Sequence, residues 1–284
     1  MILIPVVIGQ NYMTHQKNNI HPQNHNKLSV QLTLSGLSFL VTSNTTNKTI
    51  VFLEKKFDQT ISPEELLLEL QSELNNNVIF DTLFSQINII YHTRLYTLTP
   101  THLFDPSKSS DYLKFNAKIL KNDYIAHDTV ESHDLTVVYV PFVNINNFLF
   151  EKFGDFNYYH STTLLLEQVL KSEKVFKLPK IYLNIFSNTF DLAAVKNGKL
   201  LMCNSFEFNS PEDFVYFILF CLEQLKMNPE TIDLFVSGTI EKDDSNYSML
   251  FKYVRNVSFF NSKVTFEKPA AGKSHHNILL KQFH

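Results

Sequence analysis

The chain has no tryptophan, two cysteines and only six glycines among its 284 residues. Each shortage removes a class of reading. Glycine is the residue with which most folds bring backbone N–H groups close to phosphates, so little material exists here for phosphate loops. Cys203 and Cys221 are read as buried free thiols rather than as a disulfide. Charge of one sign is also lacking, with 25 Lys and Arg against 28 Asp and Glu, a net charge of −3. The basic residues are scattered, and short runs such as Lys55-Lys56 read as solvated surface. The concentrated positive field that nucleic-acid binding needs is missing. Long apolar runs are missing too. Met1 to Ile8 is apolar but too short to span a bilayer, and no basic segment precedes it as in a secretory signal. A cytoplasmic protein without a membrane span is expected.

What is present is a large apolar fraction, 44%, and 26 phenylalanines, enough for a core built from aromatic rings. The length suits about two domains. Residues 10–27 are polar and without period, so residues 1–27 are expected to be a poorly ordered extension. His15, His21 and His25 lie there and could bind stray metal. Order is expected from Leu28. Leu28 to Leu34 alternates as a half-buried strand does, Ser35-Gly36 is a hairpin signal, and Leu37 to Thr42 returns. A third strand, Thr49 to Phe57, leads to Ser62-Pro63-Glu64-Glu65. Here Ser caps free N–H groups, Pro pre-sets the first helical φ, and Glu65 sits where a capping box wants it. The helix ends near Leu74, and Ile87 to Tyr91 is another strand.

The same succession begins again at Lys180. Ile181 to Phe186 is a strand, Ser187-Asn188 a turn, Phe190 to Val195 the return, and Asn197-Gly198 a hairpin turn. Lys199 to Phe208 is a third strand, Ser210-Pro211-Glu212-Asp213 repeats the helix cap, and Thr231 to Val236 is a strand. Order, turns and cap recur at an offset of about 150 residues, which reads as an internal duplication. The division is a first lobe at 28–175, carrying an inserted subdomain at about 96–155, and a second lobe at 176–284. Between the repeats lie a strand at Leu135 to Val140 and helices at Val143 to Phe153 and Ser161 to Ser172. The second repeat ends with a helix near Tyr247–Val254, a strand near Val257–Phe260 and an apolar stretch at Asn277–Phe283.

Three meandering strands, helix, strand, helix, strand is the order of a ribonuclease H-like unit. Two such units around a cleft make the α/β architecture of actin-like ATPases. The run Leu28–Val41, the segment Leu98-Thr-Pro-Thr-His-Leu-Phe104 with Tyr112-Leu-Lys-Phe-Asn116, and Val140-Pro141 with His160-Ser-Thr-Thr-Leu-Leu-Leu166 resemble an uncharacterised bacterial domain-of-unknown-function family. Its members look like actin-like ATPase folds. The resemblance spans roughly residues 28–284 and implies the fold without implying an activity.

Actin-like ATPases carry an acidic residue and a Gly-rich turn in the first hairpin, and hold Mg²⁺ through carboxylates and water. The hairpins here, Thr33 to Ser38 and Asn184 to Phe190, have no acid before the turn; Asp191 comes after it. The nucleoside turn is reduced to Val236-Ser-Gly-Thr-Ile240. Ser35, Gly36, Ser187, Asn188, Ser237 and Gly238 are therefore weak candidates for a remnant nucleotide cleft, with ATP and Mg²⁺ as the alternative cofactor and tight structural turns as the plainer account. No catalytic or metal-binding residue is assigned. Ala271-Gly-Lys-Ser274 echoes the end of a P-loop, but Glu267 stands where its first Gly belongs. His275 and His276 would point apart on a strand with no acid to complete a metal set. His160-Ser161 has no triad partner at a defined spacing. Asp243-Asp244 reads as the start of the following helix, and Asp123, His127, Asp128, Glu131, His133 and Asp134 as a solvated loop. The leading expectation is a non-catalytic actin-like protein that binds another protein; the alternative is a nucleotide-binding protein or weak ATPase. A small-molecule sensor is a third reading with no residue signal.

Overall fold

A computed structural model describes residues 26–46, 48–114, 119, 123–131, 133–172, 178–262 and 273–283. The histidines at 15, 21 and 25 and the Ala271-Gly272 half of the P-loop echo lie outside the described residues. The chain divides into two compact units. One takes in Met1–Asp128, Thr136–Ser161 and Phe283–His284, the other Thr129–Leu135 and Thr162–Gln282.

In the first unit β1 (Asn26–Thr33), β2 (Gly36–Ser43) and β3 (Thr49–Lys56) form an antiparallel meander, and α1 (Pro63–Asn76) follows. β4 (Gln86–Tyr91) returns parallel to β1, and β8 (Asn157–His160) adds parallel to β4. The resulting five-stranded sheet has the order β3-β2-β1-β4-β8. Between β4 and β8 come β5 (Tyr96–Thr99), the short α2 (Ser109–Leu113), β6 (Ala126–Val130), β7 (Leu135–Tyr139) and α3 (Val143–Phe153). The three strands make a separate sheet, ordered β5-β7-β6. After β8 the chain enters α4 (Ser161–Ser172) directly.

The second unit repeats the sheet. β9 (Lys180–Ile185), β10 (Thr189–Lys196) and β11 (Lys199–Glu207) meander, then α5 (Pro211–Gln224), β12 (Asp233–Gly238), α6 (Ser245–Tyr253) and β13 (Asn256–Phe259) follow. The order is β11-β10-β9-β12-β13, strand for strand that of the first sheet, with β12 parallel to β9 and β13 parallel to β12. This is the duplicated ribonuclease H-like succession.

Local chemistry explains most boundaries. Ser62 accepts from Glu65 N while Glu65 Oε2 accepts from Ser62 N, a complete capping box. Asn197 and Gly198 both take positive φ, 54° and 69°, which a tight hairpin needs. The core of the second unit alternates along its strands, with Ile181, Leu183 and Ile185 of β9 and Phe190, Leu192 and Ala194 of β10 against Phe214, Ile218 and Leu222 of α5. Phe190 sits within 5.1–6.0 Å of the rings of Phe206, Phe208 and Phe214, so phenylalanine supplies the large rings that tryptophan does not.

Three expectations are corrected. The strand begins at Asn26, two residues before the expected start. The first hairpin turn is Leu34-Ser35, not Ser35-Gly36, because Gly36 already pairs with Thr33. β1 is not half-buried: Ser29, Gln31 and Thr33, on its polar face, are 3%, 8% and 5% exposed. Among the described residues no helix is long and apolar enough to cross a membrane.

Candidate functional site

In the first unit, Ser35 is the second turn residue and Gly36 opens β2. Thr33 Oγ1 accepts from Ser35 N at 3.1 Å and donates to Gly36 O at 3.0 Å, so one hydroxyl closes the turn from inside. The segment after β3 closes it from outside: Phe57 N donates to Ser35 O at 3.0 Å and Ile61 N to Leu34 O at 2.9 Å. A Cβ at Gly36 would stand 2.6 Å from Lys55 O. Glycine here permits close packing of β3.

In the second unit, Ser187 and Asn188 form the centre of the β9–β10 turn, bridged by Phe186 N to Thr189 O at 2.8 Å. Asn188 O accepts from Phe208 N at 3.0 Å. Ser237 and Gly238, expected in a turn, are the last residues of β12, paired with Asn184 and Ile185 of β9. Ser237 Oγ lies 3.0 Å from Leu183 O and 3.1 Å from Asn184 Oδ1. Gly238 has φ +90°, and a Cβ there would fall 1.9 Å from Ile185 O. Its N–H donates to His275 O at 2.9 Å. The structure thus brings the four second-unit candidates to one end of one sheet, where strand pairing and the C-terminal segment engage them. Ser35 and Gly36 occupy the equivalent end of the first sheet.

Asp191 is fully buried on β10, across from Asn184 on β9 and Ser205 on β11. Ser205 Oγ donates to Asp191 Oδ1 at 2.5 Å. Asn184 in turn pairs with Ser237 on β12. Asp191 therefore belongs to a polar row that crosses four strands, in which its Oδ1 is hydrogen-bonded and its Oδ2, among the described residues, is not.

A second polar cluster, in the first unit, escaped sequence reasoning. Asp128 is 6% exposed, with Oδ2 accepting from His160 N at 2.6 Å and Oδ1 from Tyr139 OH at 3.1 Å. The solvated-loop reading of Asp128 is therefore wrong: it lies on β6 and holds the end of β8. His160 Nε2 meets Thr93 O at 2.9 Å, and its ring packs on Tyr96 and Tyr139 at 4.7 and 5.0 Å. Ser161 does have a histidine partner: His92 Nδ1 lies 3.0 Å from Ser161 Oγ. Burial, with Arg94 adding to it, pushes the His92 imidazole down to about 3. A neutral imidazole beside a serine hydroxyl is the pairing of an activated nucleophile, but Ser161 is fully buried and His92 only 5% exposed. Both side chains of the pair are thus shielded from solvent.

Asp244 is the N-cap of α6, as expected, but its side chain accepts from Glu241 N at 2.7 Å rather than capping the helix. Cys221 is buried in the second core, and burial pushes its thiol up to about 11; Cys203 is half-buried, and neither forms a disulfide. His275 and His276 lie in consecutive turns rather than on a strand, and Glu241 stands beside both.

Comparison with solved structures gives the same architecture. A protein with actin-like ATPase fold and unknown function from Bacteroides thetaiotaomicron VPI-5482 superposes with a TM-score of 0.77 at 21% identity, over 92% of this chain and 95% of that one. The PilM–PilN type IV pilus biogenesis complex matches with a TM-score of 0.53 at 12% identity, over 83% of this chain and 88% of that one. No protein with a curated description matches. Both likenesses report the fold. The chain belongs to the family described as protein of unknown function, DUF3822, whose profile matches residues 15–257.

Proposed function

We propose that this protein is a non-catalytic binding or scaffold module on an actin-like fold, located in the cytoplasm, with another protein as its partner. The observation that carries the reading is the engagement of the remnant turns within their own units. Ser35 N is bonded to Thr33 Oγ1 and Gly238 N to His275 O, so these donors are not aimed outward for a phosphate to use. Neither first turn, Leu34-Ser35 or Ser187-Asn188, contains a carboxylate, and Asp191, the acid that follows the second turn in sequence, is buried beside Asn184 and Ser205.

The surface of α5 supports the binding half. Phe214, Ile218 and Leu222 face the core, while Tyr216 and Phe220 are 61% and 46% exposed with rings stacked 6.3 Å apart. Exposed aromatics of this kind are enriched at protein interfaces. One structural neighbour is itself a two-protein complex, PilM with PilN.

The test is titration with Mg·ATP and Mg·GTP followed by thermal unfolding. A ligand at 100 times its Kd adds about 2.7 kcal/mol, a rise of about 2–4 °C for a chain of this size. No shift is expected. A saturable shift would replace this reading with the nucleotide-binding one. For the partner, a Tyr216→Ser, Phe220→Ser chain that keeps its fold and still recovers every partner of the wild type would remove α5 from the proposal.

A further inference from the structure

The C-terminal segment does more than cover Gly238. It carries two histidines to the acid that follows β12. Glu241, His275 and His276 each offer one ligand atom, and these atoms lie within 4.8 Å of one another. We propose that these three side chains form a binding site for a divalent transition metal of the zinc type, with a fourth position left to water.

The donor set selects the ion. Two imidazole nitrogens and one carboxylate oxygen suit Zn²⁺ and its neighbours in the first row, whereas Mg²⁺ and Ca²⁺ call for all-oxygen sites. Three protein ligands with an open position is also a common zinc arrangement. The supporting contacts are those a metal site needs. His275 Nε2 lies 2.9 Å from Ile240 O, which assigns the ring proton to Nε2, fixes the ring and leaves Nδ1 as its ligand atom. His275 O accepts from Gly238 N, and Glu241 N donates to Asp244 Oδ2 at 2.7 Å, so both segments are anchored to the sheet end. His275 also packs its ring 4.1 Å from Phe259 and 4.5 Å from His276.

His276 supplies the pointer to a missing cation. Its Nε2 is shielded from solvent and lies 3.0 Å from Glu241 Oε1, yet it makes no hydrogen bond. A buried nitrogen left without a hydrogen bond and set against a carboxylate oxygen is a costly arrangement, and a bound cation between them relieves it. Burial keeps both imidazoles below their ordinary range, which favours the neutral form that metals bind. For Glu241, burial works to raise the carboxyl, and the Lys273 ammonium outweighs it, holding the carboxyl below its ordinary range.

Without metal, Lys273 plays the cation. Its Nζ lies 2.5 Å from Glu241 Oε2, but the side chain is 65% exposed and swings away without exposing any core. A plain ion-pair cluster and a metal site therefore predict opposite roles for Lys273, a partner in the first and a competitor in the second.

The experiment uses the full chain with His15, His21 and His25 replaced by alanine, so that no other close-spaced histidines near the N-terminus compete. Equilibrium dialysis against Zn²⁺, and the visible absorption of Co²⁺ with Zn²⁺ displacing it, report stoichiometry and coordination. A single equivalent should bind. His276→Ala and Glu241→Gln should each weaken binding by at least roughly 10–100-fold, the loss expected even for partners one shell further out. Lys273→Met should tighten it, a gain that misfolding cannot produce. Unchanged affinity in His276→Ala, weaker binding in Lys273→Met, or no stoichiometric binding at all would each overturn the proposal.

Discussion

The two five-stranded sheets share their strand order and their cap, but the ends where their first hairpins turn are closed by different means. In the first unit closure is local. A hydroxyl within the hairpin, Thr33 Oγ1, and the chain just past β3 complete it. In the second unit the hairpin turn is closed as locally, by Phe186 N to Thr189 O and Phe208 N to Asn188 O, and a remote contact is added at the end of β12, where Gly238 N is met by His275 O. The middle of the sheets differs too. In the first, Gln31 has Ser38 and Ile90 beside it; in the second, the matching Asn184 has Asp191 and Ser237. The acid of the second row, Asp191, is fully buried, whereas the acid of the first, Glu54 opposite Ser38, is exposed at the sheet edge. The duplicated topology tolerates either chemistry, a hydroxyl on β2 or a carboxylate on β10, at the matching place.

The sharpest way to break this comparison is at the glycines. Gly238→Ala puts a Cβ 1.9 Å from Ile185 O at a φ of +90°, so both backbone and contact must yield. Gly36→Ala meets Lys55 O at 2.6 Å without a positive φ. Gly238→Ala should cost about 3 kcal/mol or more and Gly36→Ala about 1–3 kcal/mol, read from thermal or denaturant unfolding. Equal costs would mean that the remote closure is no tighter than the local one.

Acid should act next, and on the first unit. His92 is neutral when folded, held down to about 3, whereas the unfolded chain takes up a proton below 6.5. Its contribution is intact above about pH 6.5 and is lost as pH falls towards 3, because over that window the unfolded state binds the extra proton. The slope is roughly 1 kcal/mol per pH unit. Hydrogen exchange at pH 7 and pH 5 should show β4 and β8 losing protection in the wild type, and His92→Gln should flatten the dependence. A wild type with equal protection at both pH values would show that the imidazole charges without unfolding.

Ser205→Ala should cost about 1–3 kcal/mol, since it takes the hydroxyl from Asp191 on a covered face. Ser38→Ala, on β2 where the second sheet has Asp191, leaves no fully buried carboxylate and should cost less. The readout is the midpoint of denaturant unfolding, and a larger loss at Ser38 would remove Asp191 as the point of difference.

How much of this was legible follows the same local–remote division. Strand alternation, Asn197-Gly198 and the two Ser-Pro-Glu caps depend on residues a few positions apart, and the duplicated α/β order was readable from them. The first turn was misplaced by one residue because Leu34, apolar, sits in the turn where a polar residue was expected. The contacts that decide the sites span long separations: 69 residues for His92 and Ser161, 32 for Asp128 and His160, 35 for His275 and Ile240. Periodicity carries no trace of such pairs. The histidines at 275 and 276 were set aside on the assumption of a strand, and turns undo that geometry.

The smallest effect tests whether the two units are as alike as their caps suggest. Glu65 reaches back to Ser62 N at 2.8 Å and completes its box. Asp213, one methylene shorter, reaches Asn209 N at 3.2 Å instead, so the second box is only half made, by Ser210 Oγ to Asp213 N. Asp213→Glu supplies the missing methylene at the same backbone position and should stabilise the start of α5 by about 0.3 kcal/mol or a little more. Glu65→Asp should open the first box and lower protection at the start of α1. Amide exchange at Ser62 and Ser210 reads both changes directly. If Asp213→Glu slows exchange at Ser210 while Glu65→Asp speeds it at Ser62, side-chain length alone accounts for the difference between the caps. If exchange at Ser210 does not move, the cause lies in the backbone, where Ser210 sits at φ −147° against −75° at Ser62.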